Sequence, residues 1–241
     1  MISYKSTKLK IMRLVFITIF ILSLSFSGFS QKENYSYYFT DYRKKSLTVP
    51  FQFINNVIVI PLSINGSDSL KFILDTGVKT PIITNLPLED SARFQYIQIE
   101  NIHGLGDGNP VEAYYSPGNY FNINGLKRKH VSSLILEEDY FNLSEELGIY
   151  INGLIGYDLF KDLIVEINYY QKKVIFHDPD FYKPRKNRNA ITMPLNIIQS
   201  KPFIASKVTM ANGETIDVNL LIDTGASLAL WLSMETNEKI Q

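Results

Sequence analysis

Two apolar runs in this chain each end on a carboxylate. Residues 72–74 lead directly into Asp75-Thr76-Gly77, and residues 220–222 lead into Asp223-Thr224-Gly225-Ala226-Ser227. Three consecutive apolar residues indicate a buried strand, and an ionised carboxylate at its end is costly unless it is hydrogen-bonded or shares a proton. Each Asp is therefore a candidate functional group.

The residues upstream of the two Asp motifs repeat as well. Asn65-Gly66 precedes the first motif and Asn212-Gly213 precedes the second, so each segment predicts a strand, a hairpin turn, a second strand and an Asp loop. The Asp residues are 148 positions apart and the Asn residues 147, which indicates one inserted residue. We interpret the two segments as an internal repeat.

Alternating apolar and polar positions predict strands over most of the remaining chain. The alternation begins at Leu47, turns at Asn55-Asn56 and continues through residues 57–64, with further strands predicted around Asn124-Gly125. The exception is residues 137–147, which predict a short helix or loop that ends at Gly148. The pattern therefore favours an all-β fold.

Two glycine-containing stretches follow the first Asp motif. Strands at 96–99 and 111–115 flank His103-Gly104-Leu105-Gly106-Asp107-Gly108, which predicts a flexible hairpin tip; it lacks the Gly-Lys-Ser/Thr ending of a phosphate loop. Further on, Leu154-Ile155-Gly156 precedes a predicted short helix, and this glycine would allow another backbone to approach closely. By themselves, both stretches are also compatible with an ordinary surface hairpin and an ordinary buried strand.

Composition excludes several classes of function. The chain has no cysteine, so disulfides, a thiol nucleophile and thiolate metal sites are excluded, and its formal net charge is zero. His103, His130 and His177 lack the spacing of metal ligands, and the basic residues 183–188 are interpreted as a solvated linker. We therefore expect no metal, no cofactor and no nucleic-acid partner.

The chain divides into five predicted segments. Residues 1–30 combine a positive start, an apolar run and a small-residue pattern near Ser30, which predicts a cleaved signal peptide and an exported, periplasmic or extracellular protein; an uncleaved membrane anchor is the alternative. A flexible lead-in at 31–45 precedes a first lobe at 46–178. A linker at 179–192 then precedes a partial second lobe at 193–241.

The Asp motifs resemble the active-site loops of retropepsin-like aspartic proteases. The second motif is the closer match, because Val78 and Lys79 in the first stand where a small residue and Ser or Asp are usual. The resemblance implies one complete retropepsin-like β-barrel lobe and the start of a second, as in the N-terminal portion of a two-repeat exported bacterial enzyme. It also implies catalytic Asp75 and Asp223, with supporting residues Thr76, Gly77, Thr224, Gly225 and Gly156, and a substrate-binding flap of Gly104, Leu105, Gly106, Asp107 and Gly108.

Such an enzyme hydrolyses peptide bonds with water held between two carboxylates, one of which keeps a proton. One lobe supplies one Asp, so Asp75 must pair either with Asp223 in the same chain or with its own copy in a homodimer. The expected partner is a peptide or protein substrate. The alternative is a non-catalytic lobe that binds an extended peptide, or an inactive fragment. An aspartyl-phosphate mechanism is set aside because Lys79 is not adjacent to Asp75.

Overall fold

The computed structural model describes residues 36–86, 93–102, 110–184 and 188–232. The predicted signal peptide at 1–30 and the predicted flap residues Gly104 to Gly108 lie outside the described residues, so both stay predictions. The described residues all fall within one compact unit, Tyr35–Gln241. Strands account for 47% of the structure and helices for 5%, which confirms the all-β prediction.

The described residues contain fifteen strands and two short helices. The strands in chain order are β1 (Tyr38–Phe39), β2 (Ser46–Pro50), β3 (Gln52–Ile54), β4 (Val57–Ile64), β5 (Leu70–Leu74), β6 (Ile82–Ile83), β7 (Gln98–Ile102), β8 (Val111–Ile123), β9 (Leu126–Ile135), β10 (Gly153–Ile155), β11 (Ile164–Asn168), β12 (Lys173–His177), β13 (Asn196–Ile198), β14 (Lys201–Thr209) and β15 (Thr215–Leu221). The helices are α1 (Leu143–Leu147) and α2 (Tyr157–Phe160).

Six strands close into a barrel. They follow one another in the order β4, β5, β10, β6, β9 and β8, and the ring closes because β8 pairs with both β9 and β4. Most neighbours are antiparallel, but β10 is parallel to β5 and β6 is parallel to β9. The insertion of β10 between β5 and β6 brings a segment from late in the barrel against the strand that carries the first Asp motif.

Strands β4 and β5 are buried on both faces. Alternate residues of β4, such as Ile58 and Ile60, belong to the main core inside the barrel, whereas Val57 and Val59 belong to a second cluster on the other face. A strand that is covered on both faces has a nearly continuous apolar sequence, and β4 and β5 show this pattern. Each fully buried large side chain contributes about 2 kcal/mol. The strand that ends at Asp75 is therefore held from two sides.

Two smaller sheets accompany the barrel. Strand β12 pairs with β11 and with β2, and the C-terminal sheet has the order β13, β14, β15. Within the described part of this C-terminal sheet, Ile216 is buried, but Ile197 and Ile198 are about half exposed, at 51% and 53%. The C-terminal sheet therefore contributes little to an apolar core.

Several local predictions are confirmed. Asn55 and Asn56 form the predicted turn with φ of 45° and 65°, and α1 ends at Gly148 with φ of 65°. Strand β7 begins at Gln98, two residues later than predicted. It is an edge strand with Ile97 and Ile99 exposed, so no buried face marks its start. Among the described residues, no helix has the length and apolar character needed to cross a membrane.

Candidate active site

Each Asp motif begins where a strand of a hairpin ends. Strand β5 ends at Leu74, which is fully buried, and the next residue is Asp75. Strand β15 ends at Leu221 and, after Ile222, the chain reaches Asp223. The two loops lie face to face in one chain, as the following contacts show.

Four hydrogen bonds join the two loops through their threonines. The Thr76 hydroxyl donates to the carbonyl oxygen of Ile222 at 2.5 Å and accepts the Thr224 N–H at 3.1 Å. The Thr224 hydroxyl donates to the carbonyl oxygen of Leu74 at 2.7 Å and accepts the Thr76 N–H at 3.2 Å. Each hydroxyl thus donates once and accepts once, so the loops are locked by a reciprocal, near-symmetric network.

The glycines after the threonines orient the carboxylates. Gly77 N–H donates to Asp75 Oδ1 at 2.7 Å, and Gly225 N–H donates to Asp223 Oδ1 at 2.8 Å. A Cβ atom at Gly225 would overlap the carboxyl group of Asp75, and one at Gly77 would lie 3.1 Å from Asp75 Oδ1 and 3.5 Å from Asp223 Oδ2. The absence of a side chain at these positions lets the two carboxyl groups meet.

Burial and the neighbouring carboxylate change the protonation of Asp75. Burial is the larger cause and the negative charge of Asp223 the second; together they raise the pKa of Asp75 from 3.8 to about 7, partly opposed by the hydrogen bond from Gly77 N–H. Two adjacent carboxylates cannot both ionise easily. Asp75 is therefore positioned to keep a proton up to near-neutral pH.

Strand β10 and the residue after it support the Asp75 loop from behind. Ile155 accepts the Asp75 N–H at 2.9 Å, and Tyr157 N–H donates to the carbonyl oxygen of Val78 at 2.8 Å. Between them lies Gly156, where a Cβ atom would overlap the carbonyl oxygen of Asp75 and lie 2.6 Å from that of Val78. Only glycine permits this close approach of Gly156 to the backbone of Asp75 and Val78.

Val78 and Lys79 fit the first loop without disturbing this support. Val78 is partly buried against the second apolar cluster, so its larger side chain is accommodated by packing. Lys79 is exposed. The first loop therefore accommodates Val78 by packing and leaves Lys79 accessible to solvent.

The second Asp loop lacks, within the described residues, the backbone support that β10 gives to the first loop. Within the described ranges, no backbone segment accepts the Asp223 N–H, whereas its counterpart at Asp75 is bonded to Ile155. A separate contact comes from the turn between β3 and β4, because the Asn56 side-chain amide donates to the carbonyl oxygen of Ser227 at 3.1 Å. Sequence reasoning identified Asn56 only as a turn residue, and no local pattern indicates that its amide reaches the second loop.

Only the two strands that flank the predicted flap lie within the described residues. Strands β7 and β8 pair antiparallel from Gln98 and Tyr115 to Ile102 and Val111, so they form the two arms of a hairpin. The tip that they flank is residues 103–109, outside the described ranges. Among the residues that the structure describes, no cluster of three or more His, Asp or Glu side chains is suited to holding a metal ion.

No protein-family model matches this chain, and a search of curated proteins found no match either.

Proposed function

We propose that this chain is an aspartic-type endopeptidase of the retropepsin-like class, with Asp75 and Asp223 as its catalytic pair. The observation that carries the proposal is the meeting of two Asp-Thr-Gly loops through four reciprocal threonine hydrogen bonds. A partly buried pair of carboxylates on glycine-containing loops has a direct chemical use, because one acts as a base while the other acts as an acid.

In the proposed reaction, a water molecule lies between the carboxyl groups of Asp75 and Asp223. Asp223 removes a proton from the water while the oxygen of that water attacks the peptide carbonyl carbon. At the same time, protonated Asp75 donates a proton to the carbonyl oxygen. The resulting tetrahedral diol collapses when its C–N bond breaks. The leaving nitrogen takes the proton held by Asp223, and Asp75 recovers its proton from the diol oxygen.

The environment of Asp75 supports its assignment as the acid. Its pKa, raised to about 7, keeps it mostly protonated under mildly acidic conditions and about half protonated at neutral pH. Gly77 N–H and Gly225 N–H each hold one carboxyl oxygen, Asp75 Oδ1 and Asp223 Oδ1, and in the proposed reaction the second oxygens contact water and substrate. The hairpin of β7 and β8 is proposed to cover an extended peptide, with the tip at residues 104–108 as the flap.

The contacts between the loops favour pairing within one chain over pairing of Asp75 with its copy in a homodimer. The bonds at Thr76 and Thr224 join residues 148 positions apart in the same polypeptide. A two-fold dimer of first lobes would have to replace every one of them. We therefore propose an intramolecular catalytic pair.

A peptide-binding lobe without hydrolysis is the second candidate. It is favoured by one observation: Ile222, which precedes Asp223, is 39% exposed, whereas Leu74, which precedes Asp75, is fully buried. An Asp loop with weaker support would hold substrate but misplace the base.

Cleavage of a mixed peptide library by the full chain between pH 4 and pH 8 distinguishes these candidates. The endopeptidase proposal predicts new peptide termini by mass spectrometry, which disappear in both Asp75→Asn and Asp223→Asn. Peptide binding by a folded wild-type chain without any new termini would refute hydrolysis and leave the binding lobe.

A further inference from the structure

The two Asp loops differ in charge at one equivalent position. Lys79 lies four positions after Asp75, and Ser227 lies four positions after Asp223. The reciprocal threonine hydrogen bonds relate the two loops by a near-symmetric exchange, so residues at the same distance from their Asp are counterparts on opposite sides of the carboxylates. One side of the pair therefore carries a cation, and the other carries a neutral hydroxyl.

A tight turn keeps Lys79 close to Asp75. Val78 N–H donates to the carbonyl oxygen of Asp75 at 3.2 Å, which closes a turn over residues 75–78. The end Cα atoms of such a turn are less than about 7 Å apart, and the next Cα atom is about 3.8 Å further along. The Cα atom of Lys79 therefore lies within about 11 Å of that of Asp75, a length that an extended peptide covers in about three residues.

The charge of Lys79 is not neutralised by any residue that the structure describes. The side chain is exposed, and within the described ranges no carboxylate forms an ion pair with its ammonium group. By contrast, Lys161 and Lys207 form ion pairs with Asp158 and Asp217. A lysine carries its charge on a flexible four-carbon stem, so Lys79 can adjust to a negative group on a bound peptide.

The proposed chemistry makes this asymmetry matter to a peptide. Asp223 is ionised when the peptide binds in the proposed reaction, so its charge repels a second negative charge placed near it. Lys79 offsets that repulsion on its own side of the pair, whereas Ser227 carries no charge that could offset it on the other side. An acidic side chain of the peptide is therefore favoured on one side of the cleaved bond and disfavoured on the other.

We propose that Lys79 selects peptides that carry an acidic side chain two to four residues from the cleaved bond, on one fixed side of it. A peptide has a direction, so a cation on one side of a near-symmetric pair also selects one of the two orientations in which the peptide can bind. Exposed ion pairs are weak, so we expect a preference of about threefold. The cleavage preference rests on the proposed function, whereas the binding preference does not require hydrolysis.

The probe is a decapeptide library in which one position at a time is fixed as Glu or as its neutral isostere Gln. The full chain cleaves the library at pH 6 and low ionic strength, and mass spectrometry locates each cut relative to the fixed residue. We expect cleavage about threefold faster with Glu than with Gln at one position two to four residues from the cut, on one side only. The preference should fade at about 0.5 M salt, because salt screens exposed charges.

Variants of the chain test whether Lys79 is the source of the preference. Lys79→Ala should remove the preference for Glu, and Lys79→Glu should reverse it. The matched control is Lys71→Ala, which removes the same charge from β5 four positions before Asp75 and should keep the preference. The double variant Lys79→Ser with Ser227→Lys should move the preference to the other side of the cut, which a purely structural role of Lys79 would not do. Circular dichroism checks that each variant folds.

A binding measurement separates this inference from the proposed function. Immobilised full-chain Asp75→Asn is expected to retain Glu peptides of the same library over Gln peptides, and adding Lys79→Ala should abolish that enrichment. Cleavage at equal rates for Glu and Gln, or a preference that survives Lys79→Ala, would overturn selection by Lys79 and leave the endopeptidase. Enrichment that depends on Lys79, without cleavage by the wild type, would overturn the endopeptidase and leave selection by Lys79. Neither cleavage nor enrichment would overturn both.

Discussion

Gly156→Ala should destabilise the barrel and disable the Asp75 loop together. The new methyl group would overlap the carbonyl oxygen of Asp75 and approach that of Val78, and both neighbours are backbone atoms that cannot rotate away. Strand β10 must therefore separate from the loop. The separation breaks two hydrogen bonds, from Asp75 N–H to Ile155 and from Tyr157 N–H to Val78, at 2.9 and 2.8 Å.

The magnitude follows from these contacts. Two backbone hydrogen bonds contribute about 1 kcal/mol each, and overpacking costs about 1–3 kcal/mol, so the free energy of unfolding should fall by about 3–5 kcal/mol. This is a large share of the 5–15 kcal/mol typical of a domain. Urea unfolding followed by circular dichroism measures the loss, and peptide cleavage by the still-folded fraction should fall with it.

Gly118→Ala is the matched control. This control makes the same glycine-to-alanine change at a position where nothing lies within 4 Å of the added Cβ atom. The φ of 76° at Gly118 means that alanine adds backbone strain there. The expected cost is about 1–2 kcal/mol with cleavage unchanged. A Gly156→Ala variant that loses no more stability than Gly118→Ala, or that keeps full cleavage activity, would refute the role of β10 as the support of the Asp75 loop.

Three further predictions concern the loops themselves. The pKa of Asp75 is about 7 in the folded protein against 3.8 ordinarily. Its contribution to the free energy of unfolding is therefore complete below pH 3.8 and is lost as the pH rises through 7. The loss is at most about 4 kcal/mol, at about 1.4 kcal/mol per pKa unit. Asp75→Asn should therefore gain stability over the wild type between pH 4 and pH 8 in urea titrations, and a constant difference would contradict the raised pKa. Asn56→Gly keeps the left-handed backbone but removes the amide bonded to Ser227, so cleavage should slow about fivefold. Asn55→Gly removes an amide that bonds to the backbone of residue 146 and should leave the cleavage rate unchanged. Equal cleavage rates in the two variants would contradict the role of Asn56 in positioning the second Asp loop. Thr224→Val keeps the shape of the side chain but removes the hydroxyl bonded to the Leu74 carbonyl oxygen. Peptide cleavage by this variant should be lost, and limited proteolysis should cut the variant sooner between residues 222 and 228. Unchanged proteolysis would contradict the role of the threonine hydrogen bonds in holding the two loops together.

The sequence predicted the local elements well because their signals are local. An apolar run that ends on Asp75, the Asn55-Asn56 turn and the Gly148 helix end each depend on neighbouring residues alone. The internal repeat added one non-local prediction, that the two loops share a structure. Thr76 and Thr224 bond reciprocally across the two loops, and the repeat itself stays a prediction.

The barrel order and the second-loop contacts were not predictable in the same way. The insertion of β10 between β5 and β6 depends on which edges remain free after the hairpins form, and no pattern in residues 153–155 specifies that order. The reach of the Asn56 amide to Ser227 depends on the packing of two segments 171 positions apart. The sequence also left the pairing of Asp75 open, because a homodimer and a single chain use the same motif.

The central claim is that Asp75 and Asp223 form one catalytic unit within one chain. The most direct measurement is the cleavage rate of Asp75→Asn and Asp223→Asn, each assayed alone and then as an equimolar mixture, beside the wild type. The account predicts cleavage by the wild type, a loss of at least about 10³-fold in each variant, and no recovery in the mixture, because every chain then lacks one carboxylate of its own pair. Full activity in Asp223→Asn, or recovery in the mixture, would contradict the claim and indicate that the carboxylates pair between chains.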